Sequence, residues 1–88
     1  MNMHKIQKVE AMPDFMLSVV FDNGTEKIVD FKPYLQFPVF QPLKDGVNFR
    51  AVCNRGYYIE WPAYEIDLSG DTLWMEGKTV DYQDVPNK

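Results

Sequence analysis

His4 is the only histidine of the chain and Cys53 its only cysteine. A general base must lie within hydrogen-bond reach of its substrate. His4 falls in the terminal stretch "MNMHKIQKVEAM", which is expected to be mobile, so it is not expected to act. Cys53 lies between Arg50 and Arg55, a setting that could favour a thiolate. With no histidine expected nearby, a Cys–His nucleophilic pair does not assemble, and Cys53 reads as a small buried hydrophobe of a strand. Asp67 and Asp71, spaced across "DLSGD", are the best oxygen ligands for a metal. Calcium wants about six to eight oxygens, however, and the acids and glycine of an EF-hand loop are missing. Zinc would want cysteine or histidine ligands. Asp67 therefore reads as holding a turn or capping a helix. The five glycines are isolated, so no phosphate loop is present. No catalytic, cofactor-binding or metal-binding residue is assigned, and the chain is not expected to be an enzyme.

The stretch "YYIEWPAYEIDLSGDTLW", residues 57–74, carries no base. It interleaves Tyr57, Tyr58, Trp61, Tyr64 and Trp74 with Glu60, Glu65, Asp67 and Asp71. Aromatic platforms for nucleic acid come with basic grooves, whereas these aromatics lie among acids. Residues 57–88 hold Glu60, Glu65, Asp67, Asp71, Glu76, Asp81 and Asp84 against Lys78 and Lys88 alone, while residues 1–56 are nearly balanced. That asymmetry points to a basic partner or to solubility alone, not to nucleic acid. The stretch is expected to divide in two. Tyr57, Ile59 and Trp61 form one buried strand face, joined in the core by Leu73 and Trp74. Tyr58, Glu60, Tyr64 and Glu65 are left over as a mixed aromatic and acidic surface. Such a surface suits recognition of a small basic protein.

The elements that position these residues belong to one domain, since 88 residues leave no room for a second core. Lys5–Met12 is expected to be a strand, ended by Pro13-Asp14. Phe15, Leu17, Val19 and Phe21 alternate with Met16, Ser18, Val20 and Asp22, the period of a half-buried strand. Asp22-Asn23-Gly24 marks a hairpin turn, and Thr25–Phe31 returns. Pro33, Pro38 and Pro42 exclude a long helix or central strand from residues 32–43. A turn or short helix at Pro33–Leu35 fits, with Phe37, Val39, Phe40 and Leu43 plugging the segment into the core. Val47–Asn54 reads as a helical turn leading into a strand, and Tyr57–Trp61 as the next strand. Ser69 caps a short helix from Gly70 to the stop at Gly77. Residues 78–88 are expected to form a polar, frayed tail. The fold class is α+β: a small antiparallel sheet of about four or five strands, an N-terminal hairpin and one or two short helices.

The order "FDNGT…VDF…YIEW-P…DLSGDTLW" resembles the bacterial family known as domain of unknown function 2442, over about Ile6 to Trp74. The shared marks are Phe21-Asp22-Asn23-Gly24, Val29-Asp30-Phe31, Phe49, Trp61-Pro62, Asp67-Leu68 and Leu73. The resemblance implies a small α+β domain and a partner in toxin–antitoxin-like two-gene units. It also implies a glycine-containing turn after Trp-Pro, where this chain has Ala63, Tyr64, Glu65 and Ile66. The expected function is a small bacterial protein-interaction or regulatory module, antitoxin-like toward a small basic protein. The alternative is a ligand sensor with a pocket between the sheet and residues 33–43. Neither a membrane span nor an export signal is read, so the expected location is the cytoplasm. Lys5–Met12 or Tyr57–Trp61 could offer an open edge for a homodimer.

Overall fold

Leu17, Val19 and Phe21 point to one side of a strand and are buried, as their alternation predicts. The computed structural model describes residues 4–80. In it β2 (Met16–Phe21) is flanked by β1 (Ile6–Met12) and β3 (Glu26–Asp30), both antiparallel. The β2–β3 turn falls at Asp22-Asn23-Gly24: Gly24 takes φ +88°, and Asn23 Oδ1 accepts the Thr25 amide at 3.0 Å. Leu17 then sits opposite Val29, which fixes the register of the buried row. Between β1 and β2, Asp14 and Phe15 take φ of 65° and 57°. Phe15 therefore belongs to the turn rather than to the strand, and its ring packs edge-on against Phe49 at 5.2 Å.

The prolines act as expected. Residues 32–44 form two 3-10 runs, Lys32–Gln36 and Pro38–Lys44, each with proline in its first turn. Leu35 and Leu43 are buried and Phe40 packs against the core, but Phe37 and Val39 are 52% and 62% exposed, contrary to the expectation that they plug into it. Phe37 occupies the extended break between the two runs, which turns its side chain away from the face that Leu35 and Leu43 share.

Asp45 caps α1 (Gly46–Arg50) by accepting the Val47 amide at 2.8 Å, and Phe49 on that helix is buried. A second sheet follows in the order β4-β5-β6: β4 (Cys53–Asn54), β5 (Tyr58–Trp61) and β6 (Ile66–Ser69). Its inner face supplies Ile59, Trp61 and Ile66 to the same core as Leu17, Val19 and Val29. Trp61 is fully buried, and its Nε1 donates to the Phe49 carbonyl at 2.8 Å. Ser69 caps α2 (Gly70–Glu76) through the Thr72 amide, Leu73 is buried beneath it, and the helix stops at Gly77.

The α+β class and N-terminal hairpin hold, with the strands divided between two antiparallel sheets. Three expectations change. Tyr57 is not inward: it precedes β5, just after Gly56 reverses the chain at φ +90°, and is 46% exposed. The strand β5 is the centre of its sheet and not an edge. β1 is an edge of the first sheet, but β4 and α1 pack beside it. There the Ile6 amide donates to Gly56 O at 2.6 Å, and Asn54 Nδ2 donates to Ile6 O at 2.9 Å. Beyond Gly77, Lys78–Thr79 forms β7 on the free side of β3, so the first sheet (β1-β2-β3-β7) runs past the expected boundary at 77. The remainder of the expected frayed tail lies outside the described residues.

Candidate functional site

Because β5 buries Ile59 and Trp61, its intervening residues Tyr58 and Glu60 face outward. The pairing of β4, β5 and β6 sets Cys53, Glu60 and Asp67 in one cross-strand row and Tyr58 beside Ser69 in the next. Tyr58, Asp67 and Ser69 are exposed and Cys53 and Glu60 half-buried, so no element among the described residues covers this face. Glu60 and Asp67 are like charges on adjacent strands, an unfavourable pairing. Arg55 offsets it, its Nε donating to Glu60 Oε1 at 2.9 Å. Composition did not suggest Arg55, which precedes the acidic stretch and is brought onto the face by the tight β4–β5 return, where its amide donates to Tyr58 O at 2.8 Å.

Tyr64 and Glu65 stand at the far end of β5, in the turn Pro62–Tyr64 that leads to β6. The four expected surface residues thus span one sheet face and its tip rather than a single cluster. Glu65 holds left-handed backbone, φ 54° and ψ 41°. This is the loop where the family resemblance implies a glycine turn. A left-handed L-residue is strained, and glycine would relieve it. Glu65→Gly is expected to raise stability by about 1 kcal/mol, read as an upward shift of the urea midpoint. An unchanged or lowered midpoint would mean that the Glu65 side chain itself supports the turn.

The other chemically interesting residues fall elsewhere. His4 is not free: its ring stacks on Trp74 at a centroid distance of 4.2 Å, and its Nδ1 donates to Asp71 Oδ1 at 2.9 Å. Its backbone amide donates to the same oxygen at 3.0 Å. From β3, Lys27 Nζ lies 4.3 Å from the Trp74 ring centroid and donates to the Trp74 carbonyl at 2.7 Å. The terminus is not loose: its partners lie on α2, far along the chain. Asp71 is thus spent on His4 and not paired with Asp67. Asp67 caps nothing, since Ser69 holds that place. Cys53 is half-buried on the outer face rather than core, because β4 is an edge strand. Among the described residues, no group of three or more His, Cys, Asp and Glu could hold a metal ion.

Hydrogen bonds from the His4 side chain and amide hold the Asp71 carboxyl below its ordinary range. A depressed carboxyl pKa adds stability above the unfolded value, near ~3.9, and loses it as pH falls through the folded value. Thermal scans below pH ~4 are therefore expected to show wild type losing its advantage over Asp71→Asn. Parallel curves for the two proteins would show that the pairing adds nothing.

A cleft of ≈ 470 Å³ lies where the sensor reading expects one, lined by Asp30, Pro33, Tyr34, Gln36, Phe37 and Glu76. The Lys32 amide and ammonium, both bonded to Asp30 Oδ1, hold the Asp30 carboxyl low. Burial and the Glu76 charge push the Tyr34 hydroxyl up.

The chain belongs to the family described as Protein of unknown function (DUF2442), whose profile matches residues 6–86. No curated protein and no solved structure matches the chain. No helix of the described residues is long and apolar enough to cross a membrane.

Proposed function

We propose that this DUF2442 member is a protein-interaction module that docks a small basic protein on the outer face of its three-stranded sheet. The observation that carries the reading is the row Glu60–Asp67 on a face that no described element covers, beside Tyr58, which is 41% exposed. Arg55 meets Glu60 alone, so Asp67, the other acid of the row, is where a basic partner would add attraction. Tyrosine at such a patch supplies apolar contact with a polar tip. The strained Glu65 at the end of the same sheet supports the reading, because a left-handed acidic residue is costly where only a turn is needed. The partner would be occluded by this face, an antitoxin-like action in the bacterial cytoplasm.

The test is recovery from native cells of wild type and of a Tyr58, Glu60, Tyr64 and Glu65 quadruple alanine variant whose fold circular dichroism verifies. Wild type is expected to retain one small basic protein stoichiometrically, and the folded variant to lose it. Wild type retaining no specific protein at low salt, or the variant retaining the same one, would overturn the proposal.

A further inference from the structure

We propose that the outer face of the four-stranded sheet binds a second copy of the chain, sheet on sheet, about a twofold axis along β2. Leu17, Val19 and Val29 fix the inner face of this sheet, since they are core. Register then places Met16, Ser18 and Val20 of β2 outward, with Lys8, Glu10 and Met12 of β1 on one side. Glu26, Ile28 and Asp30 of β3 lie on the other side, and Lys78 of β7 pairs beside Ile28. Lys8, Glu10, Met12 and Lys78 are exposed and Met16, Val20 and Ile28 half-buried, so no element among the described residues lies over this face.

The solvated face of an antiparallel sheet is ordinarily polar. Here β2 carries no charge, and Met16, Val20 and Ile28 form an apolar stripe with Met12 at its end. The one polar side chain that β2 turns outward is already closed off. Ser18 Oγ donates to Glu26 Oε2 at 2.8 Å, and the residue is only 9% exposed. Covering the stripe would therefore leave no serine donor unpaired.

The charges around the stripe identify the occupant. Asp30 is balanced by Lys32 at 3.0 Å, which leaves Lys8 and Lys78 against Glu10 and Glu26. On a chain of net charge −4 this face has none, so it selects neither an acidic nor a basic partner. Its charges are ordered for a copy of itself. A twofold axis along β2 lays β1 of one copy over β3 of the other and keeps every cross-strand row in place. Lys8, Val20 and Glu26 share one row, so Lys8 meets Glu26 of the partner subunit, and the converse. Glu10 shares the next row with Ser18, Ile28 and Lys78, and comes beside Lys78 of the partner subunit. Within one copy Lys8 and Glu10 stand 3.9 Å apart with side chains 64% and 65% exposed, a pairing too weak to hold them from these contacts. The face covers roughly 400 Å², about half of what each side of a standard interface buries, so the dimer is a transient one. Both sheets share one core, so this face points away from that of β4–β5–β6 and is independent of the basic-partner reading.

Sedimentation equilibrium of the full chain, from roughly 10 μM to roughly 1 mM, is expected to show mass rising from one chain toward two. In 15N-labelled protein the concentration-dependent shifts are expected to centre on Met16, Val20 and Ile28. Val20→Lys, which would bury a charge between the sheets, is expected to abolish the rise while circular dichroism stays unchanged. Lys8→Glu and Glu26→Lys each set like charges across the axis, and each is expected to self-associate about tenfold more weakly. Mixed one to one, these two variants make every crossed Lys8–Glu26 contact opposite in sign again, and the dimer is expected to return. A chain monomeric throughout, shifts centred on Tyr58 and Glu60, a folded Val20→Lys protein that still dimerises, or a mixture no more associated than its components would each overturn the proposal.

Discussion

Trp61→Ala is expected to remove about 3–5 kcal/mol of stability, enough to leave much of the chain unfolded if its total lies near the low end of the ~5–15 kcal/mol usual for domains. The indole is fully buried and stands between Phe31, at 5.3 Å, and Phe49, at 6.0 Å between ring centroids. Truncation would empty the place where the second sheet meets α1 and the first. Trp61→Phe separates packing from hydrogen bonding. It keeps a ring in the site but leaves the Phe49 carbonyl without its 2.8 Å donor. A buried acceptor left unpaired costs about 1–3 kcal/mol. Urea unfolding followed by circular dichroism checks both, with the slope of the transition held as the control for a common denatured state. If Trp61→Phe matched wild type, the indole N–H would be dispensable and the core would be held by ring packing alone.

Trp61 was legible in sequence as core because Ile59 and Trp61 share a strand parity. Its hydrogen bond was not, since its partner lies on α1, which no local pattern connects to β5. The same division runs through the molecule. Period, turn residues and caps lie within a few residues of the structure they specify, so β2, the Asn23-Gly24 turn, the Ser69 cap and the Gly77 stop could be read directly. Parity extended one residue too far made Tyr57 inward; the turn at Gly56 had already ended the strand. Hydrophobicity alone placed Phe37 in the core, whereas the extended break between two 3-10 runs decided its direction. His4 shows the limit most clearly. Nothing in "MNMHKIQ" announces Asp71 or Trp74, which lie 67 and 70 positions away. For the outer face, alternation identified Tyr58 and Glu60, but the juxtaposition of Glu60 with Asp67 required the register of β5 on β6, and Arg55 required the path of the β4–β5 return.

Gly70→Ala is expected to destabilise the chain by about 1–3 kcal/mol, although in a helix alanine ordinarily gains about 1 kcal/mol over glycine. The reversal comes from what faces the position. A Cβ built on Gly70 would collide with the His4 carbonyl oxygen and stand 3.1 Å from the Tyr57 carbonyl oxygen. Both are backbone atoms, which cannot rotate aside as a long side chain could. The Gly70 amide also donates to Tyr57 O at 2.7 Å, so moving the helix away to make room would stretch that bond. Relief must therefore come from one of two displacements: the start of α2 from β5, or the His4 segment from α2. The second would break the contacts of His4 with Asp71 and Trp74 together. Thermal unfolding should show the loss as a fall of about 4–8 °C per kcal/mol for a chain of this size. Deleting residues 1–4 in both backgrounds tests the cause, because residues in contact give non-additive changes. The deletion should cost less in Gly70→Ala than in wild type, since it removes the atom that the new methyl group strikes. Additive losses would move the clash to Tyr57, and a Gly70→Ala protein as stable as wild type would show that the His4 backbone yields without cost.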